Sequence, residues 1–143
     1  MKKMIFFLCL IIMVFALVNC RYEGKTNNVV VSIAKSDKFN KEEINDAINS
    51  VKKKFKDFQG CNLTKLRYDE EQSNNIIKGY LSNGKGSVNG IKAENVIVLL
   101  SNFDVDSSGG DGSLNANSTY SNWNWILIRD NKTGKWKVDD WGY

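Results

Sequence analysis

The stretch Tyr120–Tyr143, YSNWNWILIRDNKTGKWKVDDWGY, holds all four tryptophans of the chain. Residues 123–129 are rich in aromatic and branched side chains, DNKTG has the composition of a turn, and WKVDDWGY follows it. This order predicts a β-hairpin with a connection of about three to five residues that contains Gly134. The rest of the fold must cover these large side chains.

The first strand of the hairpin is apolar on both sides, because strand side chains alternate between two faces. One face carries Trp123, Trp125, Leu127 and Arg129, and the other carries Asn124, Ile126, Ile128 and Asp130. Such a strand is expected in the interior of a sheet, with something packed on each face. On the second strand Trp136 and Val138 share a face, so we expect one face of the hairpin to meet a helix.

A helix over residues 41–58 is the best-specified element. Asn40 suits the N-cap, Glu43 is its capping-box partner three residues on, and Gly60 suits the C-terminal stop. Apolar residues then recur at spacings of three and four, which predicts one buried stripe. The stripe consists of Ile44, Ala47, Ile48, Val51, Phe55 and Phe58.

Three further runs predict strands: residues 29–33 at an edge, residues 62–68, and residues 94–105 at the centre of the sheet. Residues 69–81 have the spacing of a short second helix, although Gly79 weakens that prediction. Residues 82–90 contain three glycines and predict a flexible loop.

The N-terminus has the layout of a secretory signal, with Lys2 and Lys3 before an apolar run from Met4 to Val18. The run is shorter than the roughly 20 residues that span a bilayer. Leu17-Val18-Asn19-Cys20 resembles the lipobox of bacterial lipoproteins, in which the cysteine is diacylated, although Asn19 stands where Gly, Ala or Ser is usual. A plain cleaved signal and an uncleaved anchor are the alternatives.

These features predict a signal peptide over residues 1–20, a flexible tether over residues 21–28 and a single α+β domain over residues 29–143. Lipidation of Cys20 would place that domain on the extracytoplasmic face of the cell membrane, because two acyl chains suffice for stable anchoring. Cys61 is then the one cysteine of the mature domain, so no intramolecular disulfide is expected.

Composition excludes several classes of function. Lys2 and Lys3 account for half of the net charge of +4, so the mature chain is close to neutral and no nucleic-acid partner is expected. The lysines of residues 52–56 are expected to be a solvated helix face. The chain has no histidine, which excludes histidine-based catalytic triads and histidine-ligated zinc.

One segment merits consideration as a cation site. Asp104, Asp106 and Ser108, followed by glycine, match the first half of a calcium loop. Asn115 stands where such a loop has a bidentate glutamate. We therefore expect a long Gly/Asp/Asn loop between two strands, with no cofactor apart from this weak calcium candidate.

Two other sets of side chains are candidates for function. Asp139 and Asp140 could act as acid and base, but adjacent strand residues are expected to point to opposite faces. Aromatic side chains of the C-terminal region could line a ligand pocket that stacks on sugars or peptides, or could form the core instead. This set comprises Tyr120, Trp123, Trp125, Trp136 and Trp141.

Four segments, FNKEEINDAINSVKKKF, CNLTKLRYDE, NVIVLLSNFDVDSSGGDGSLN and WNWILIRDNKTGKWKVDDWGY, together with the lipobox-type signal, carry a family resemblance. Residues 30–143 resemble a group of lipoproteins of low-GC Gram-positive bacteria that carry a domain of unknown function. That group is similar to the superfamily of nuclear transport factor 2 and the cystatins. The resemblance implies a long helix lying in a curved antiparallel sheet, and it assigns no catalytic residue.

We therefore predict an α+β fold in which one long helix packs on a curved, mainly antiparallel sheet of about four to six strands, with a short second helix. The leading functional hypothesis is a non-enzymatic accessory module that binds a small ligand or an envelope protein. A small hydrolase or isomerase using a carboxylate such as Asp104 or Asp140 with a tyrosine is one alternative. A purely structural or immunity-type protein is the other.

Overall fold

The computed structural model describes residues 22–143, so the predicted signal peptide and Cys20 lie outside the described residues. Within this range the chain forms a mixed α+β domain with five strands and three α-helices. In chain order these are β1 (Val30–Ile33), α1 (Lys41–Phe55), β2 (Cys61–Tyr68), α2 (Glu70–Asn83), α3 (Gly86–Asn89), β3 (Val96–Val105), β4 (Thr119–Ile128) and β5 (Lys137–Gly142).

The strands form one open sheet in the order β1-β2-β3-β4-β5. β1 runs parallel to β2, and every other neighbouring pair is antiparallel. The mainly antiparallel sheet, the edge position of the first strand and the central position of β3 are as predicted. The C-terminal hairpin is confirmed as the antiparallel pair β4 and β5.

The sheet is covered on both faces. On one face α1 buries the predicted apolar stripe from Ile44 to Phe55 against β2, β3 and β4, where Trp125 and Leu127 are fully buried. Phe58, predicted as the last residue of the stripe, lies beyond the helix and is partly buried. On the other face Ile77 and Tyr80 of α2 pack against Val98 and Ile126. The two-sided character predicted for the Trp123–Arg129 strand is therefore confirmed.

The helical plan differs from the prediction of one long helix with a short second one. α1 has 15 residues and ends at Phe55, and α2 has 14 residues, so the two are of nearly equal length. Asp69 caps α2 by accepting a hydrogen bond from the Gln72 backbone N–H at 2.9 Å, which offsets the cost of Gly79 in its interior. The predicted loop over residues 82–90 contains the short helix α3.

The predicted short connection between β4 and β5 is wrong in length. The ladder ends at the pair Ile128 and Lys137, so residues 129–136 form the connection. Arg129 and Trp136 lie beyond the ladder and are both buried, and the Arg129 guanidinium carbon lies 4.4 Å from the Trp136 ring centroid. Gly134 lies in the turn, where its N–H donates to the Asn131 carbonyl at 2.9 Å.

The segment predicted as a free tether is part of the domain from Tyr22 onward. Lys25 forms a parallel bridge with Asn62, its N–H donating to the Cys61 carbonyl at 2.8 Å. The Gly24 N–H donates to the Lys56 carbonyl at 3.0 Å, and Gly24 is buried against the end of α1. Across residues 22–143, no helix is both long and apolar enough to cross a membrane.

Candidate binding groove

A groove of about 470 Å³ opens between the turn after α1 and the long loop that joins β3 to β4. Its volume falls in the roughly 300–1,000 Å³ range of small-molecule sites. Side chains of β4 and β5 complete it. Its lining includes Lys54, Asp57, Phe58, Gln59, Asp111, Ser113, Trp123 and Trp141.

Aromatic rings form the floor of the groove. Phe58 lies in the turn after α1, and its ring centroid is 6.4 Å from those of Trp123 and Trp141. It is also 5.2 Å from the buried ring of Trp125, so the floor continues into the core. Trp141 itself is 42% exposed, so part of its side chain is accessible from the groove.

Charged and polar side chains form the rim. Lys54 Nζ lies 4.8 Å from the Trp141 ring centroid and 3.0 Å from Asp57 Oδ2. Across the groove, Asp111 Oδ1 accepts a hydrogen bond from the Ser113 backbone N–H at 3.0 Å. Two carboxylates and one ammonium group therefore stand around an aromatic surface.

One polar atom of the floor has no partner. The indole nitrogen of Trp123 is buried and donates to no acceptor within residues 22–143. A buried donor without an acceptor costs about 1–3 kcal/mol. By contrast, the indole N–H of the core residue Trp125 donates to Ser101 Oγ at 2.8 Å. The two tryptophans, two residues apart on β4, thus have different polar environments.

The structure divides the aromatic set suggested by the sequence. Trp123 and Trp141 line the groove, and Tyr120 stacks beside them on Phe103 at 5.1 Å. Trp125 is fully buried between the sheet and α1. Trp136 is buried at the far end of α1, where it meets Phe39 edge-on at 5.5 Å. The last two residues therefore do not line this groove.

The residues of the weak calcium candidate make local contacts. Asp104 Oδ1 accepts a hydrogen bond from Thr119 Oγ1 at 2.7 Å, across the β3–β4 pair. Asp106 accepts hydrogen bonds from the backbone N–H and the hydroxyl of Ser108, which lower its carboxyl pKa. In the part of the chain that the structure describes, no three metal-ligating acids or thiols cluster. The predicted long loop between two strands is present.

The expectation that Asp139 and Asp140 point to opposite faces is wrong. A β-bulge lies between the pairs Ile126 with Asp140 and Leu127 with Val138, so β5 has one extra residue there. Both acids consequently reach the α2 side of the sheet. Asp139 Oδ2 accepts a hydrogen bond from the Tyr80 hydroxyl at 2.7 Å, and Asp140 Oδ1 lies 3.3 Å from Lys85 Nζ.

Tyr80 is the buried member of this second cluster, whereas the Lys85 and Asp140 side chains are exposed. Tyr80 is only 4% exposed, and burial together with the hydrogen bond to Asp139 raises its pKa to about 12. Its hydroxyl also accepts a hydrogen bond from the Asn89 amide at 3.1 Å. A neutral, buried phenol whose hydroxyl is already paired on two sides joins α2 and α3 to β5. Its contacts explain its burial without a substrate.

The aromatic groove was only partly accessible to sequence reasoning. Trp123 and Trp141 were identified as candidates, but the rim residues Lys54, Asp57 and Gln59 lie next to the last stripe residues Phe55 and Phe58 in the sequence and carry no motif. Their position depends on where α1 ends. The stripe continues to Phe58, whereas the helix stops at Phe55, and this early stop forms the groove wall.

The fold and the groove define a class of protein: a small α+β domain with an aromatic surface groove and, in residues 22–143, no clustered metal-ligating side chains. Residues 24–142 match the family described as "Domain of unknown function (DUF4829)". Because the match covers most of the chain, the protein belongs to this family. No curated protein and no solved structure matches the chain.

Proposed function

We propose that this protein is a membrane-tethered, extracytoplasmic lipoprotein whose domain binds a ligand in the aromatic groove and does not act as an enzyme. The observation that carries the proposal is the exposed Trp141 above the Phe58 floor, framed by Lys54 and Asp57. A ligand that covers the exposed part of the Trp141 ring would remove apolar area from water, which favours binding. A concave, mostly apolar surface with a few polar groups is the usual form of a binding site.

The membrane address in this proposal is supported by the sequence before the described residues. The apolar run ends in Leu17-Val18-Asn19-Cys20, and diacylation of Cys20 would supply the two chains that stable anchoring requires. Mass determination of the protein purified from membranes tests this part. The expected species begins at Cys20 and carries the added mass of a diacylglyceryl group, and a species without lipid would contradict the anchor.

The finer family placement is also part of the proposal. We assign the chain to lipoproteins of low-GC Gram-positive bacteria and relate its fold to the superfamily of nuclear transport factor 2 and the cystatins. Supporting features are α1 packed on a mainly antiparallel sheet and the C-terminal hairpin. The helix α2 on the opposite face departs from the single-helix plan of that superfamily.

The binding function is tested by thermal unfolding in the presence of fractionated envelope extract. A ligand that binds only the folded state stabilises it, by about 2.7 kcal/mol at a hundred times its Kd. We expect at least one fraction to raise the Tm of the wild-type protein and to have a smaller effect on Trp141→Ala. If no fraction shifts the wild-type Tm, the groove is not a binding site for envelope components.

A further inference from the structure

The chemistry of the groove narrows the class of ligand. Resting on the proposed function, we infer that the groove binds a neutral glycan, with pyranose rings stacked on Trp141 and hydroxyl groups hydrogen-bonded along the rim.

Trp141 offers an exposed indole to a ligand in the groove. The face of an aromatic ring carries negative partial charge, which attracts the weakly positive C–H groups on one side of a pyranose ring. Trp141 is 42% exposed, and its ring is backed by Trp125 at 6.4 Å in a stacked arrangement and by Phe58. It is thus a supported surface on which a flat, partly apolar ring can rest.

The rim of the groove carries both hydrogen-bond donors and acceptors. Asp57 and Asp111 are acceptors, Lys54 is a donor, and the Gln59 amide is both. Among the described residues the Gln59 side chain makes no hydrogen bond, and Asp57 is engaged on one oxygen by Lys54. Donors and acceptors that alternate around an apolar floor suit hydroxyl groups, each of which donates and accepts.

The Lys54 ammonium group disfavours a cationic ligand. It lies 4.8 Å from the Trp141 ring centroid, where it would repel a second cation. A peptide that adds a strand needs an unpaired sheet edge. β5, which carries Trp141, is an edge strand of the sheet in the described residues, so a strand-adding peptide is the competing ligand class that the trialanine probe tests. A neutral, hydroxyl-rich ligand avoids repulsion by Lys54 and can accept a hydrogen bond from its ammonium group.

The test is calorimetric titration of the full chain in a zwitterionic, sugar-free detergent. The glycan probes are a soluble chitin oligosaccharide and a maltooligosaccharide, the cation probe is choline chloride, and the peptide probe is trialanine. We expect saturable binding of at least one glycan. We also expect Trp141→Ala to weaken it about tenfold or more, the size of effect that losing one stacking aromatic has elsewhere.

Two further variants keep the result interpretable. Gln59→Ala alters the rim without touching the core, so it should weaken glycan binding even if Trp141→Ala folds poorly. Val88→Ala, on α3 and 85% exposed, is the control and should bind as the wild type does.

Binding of choline or trialanine in place of the glycans, lost in Trp141→Ala, would overturn the glycan assignment and leave the groove as a binding site. Glycan binding unchanged in both Trp141→Ala and Gln59→Ala would overturn this location. Absence of binding by all probes would also overturn the glycan inference, whereas the proposed function is judged separately by the extract experiment.

Discussion

At the scale of single residues, Arg129 carries a charge that the fold cannot leave unpaired. Its side chain is 4% exposed and lies between the rings of Phe39 and Trp136. Arg129 Nη1 donates to Glu43 Oε1 at 2.7 Å, and this is its one ion pair among the described residues. Burial opposes ionisation of Glu43, but hydrogen bonds from the Asn40 backbone and from Arg129 outweigh it and lower the Glu43 pKa.

Replacing Glu43 by glutamine removes the negative charge opposite Arg129 and keeps a side chain of the same size. Glutamine can still serve as the N3 partner of the Asn40 capping box, so the helix start is retained. The buried guanidinium loses its counter-charge, and breaking a buried pair in this way costs about 3 kcal/mol. We expect Glu43→Gln to lower the urea midpoint at unchanged m-value. Glu42→Gln, an exposed neighbour, should stay within about 0.5 kcal/mol of the wild type. Equal effects of the two changes would contradict this account.

Glu70 makes the stability of the domain depend on pH. Its carboxylate accepts hydrogen bonds from the Ser36 hydroxyl and from the backbone N–H groups of Asp37 at 3.0 Å and Lys38 at 3.2 Å. These bonds, that from Ser36 foremost, hold the Glu70 pKa below its ordinary 4.5. A folded-state pKa below the unfolded value stabilises the fold fully above that value, and the stabilisation is lost as the pH falls through the folded-state pKa.

We therefore expect Glu70→Gln to be less stable than the wild type near neutral pH. The difference should shrink as the pH is lowered below 4.5, the ordinary pKa of the carboxyl. Urea unfolding at a series of pH values measures it. Glu71→Gln, the exposed next residue, is the matched control. A difference between Glu70→Gln and the wild type that stays constant down to low pH would show that the Glu70 charge does not hold the Ser36–Lys38 turn.

At the scale of the elements, the features that the sequence predicts correctly are those specified by residues close together in the chain. The start of α1 is specified by four consecutive residues. The Asn40 side chain accepts a hydrogen bond from the Glu43 N–H at 2.9 Å, and the Glu43 side chain accepts one from the Asn40 N–H at 2.9 Å. The alternation that made β4 two-sided is equally local. The bulge at Asp139 and the pairing of Glu43 with Arg129 depend on residues brought together from distant parts of the chain, and composition carries no signal for them.

The N-terminal segment shows the same limit. Its polar composition predicted a tether, yet its backbone completes hydrogen bonds at the end of α1 and along β2. Main-chain pairing does not require apolar side chains, so a polar sequence can still be ordered when a strand edge is beside it. Gly24 permits this order, because its lack of a side chain allows the segment to approach the end of α1 closely.

Two glycine substitutions test whether this segment belongs to the folded unit. A Cβ on Gly24 would collide with the Phe55 carbonyl oxygen and lie 2.8 Å from that of Phe58. We expect Gly24→Ala to lower the free energy of unfolding by about 1–3 kcal/mol. In the control, Gly79→Ala within α2, the Cβ meets nothing within 4 Å, so the change should stabilise the protein by about 0.5–1 kcal/mol. A neutral Gly24→Ala would mean that residues 22–28 are not part of the cooperative fold.

At the scale of the whole molecule, the two covered faces of the sheet decide where ligands can reach. The two faces of β3 are filled by α1 on one side and α2 on the other, so the tryptophan-bearing sheet has no open concave face at its centre. The aromatic surface opens instead at the end of α1, where the helix stops before its apolar stripe does. Side-chain volumes and helix ends decide this, and neither can be computed from hydrophobic periodicity.

The N-terminal end of the described chain, which leads to the proposed lipid anchor, lies at the same end of the domain as the groove. The Tyr22 carbonyl accepts a hydrogen bond from the Gly60 N–H at 3.4 Å, which ties residue 22 to the fold. The two residue steps from Cys20 to Tyr22 span at most about 7 Å. The groove shares Gln59 and Gly110 with the depression beside Tyr22. A lipidated Cys20 would therefore hold the groove close to the bilayer surface.

This placement predicts that bilayer lipids quench part of the tryptophan fluorescence of the anchored protein, because Trp123 and Trp141 line the groove. In vesicles that contain brominated phospholipid, we expect the lipidated full chain to be quenched. A flexible Gly/Ser insert of about 20 residues between Arg21 and Tyr22 should reduce the quenching, since it adds a reach of about 25 Å. The same insert between Lys132 and Thr133, in the exposed β4–β5 connection, should leave the quenching unchanged. Equal quenching with and without the N-terminal insert, on protein shown by mass to be lipidated, would mean that the short link does not set the position of the groove.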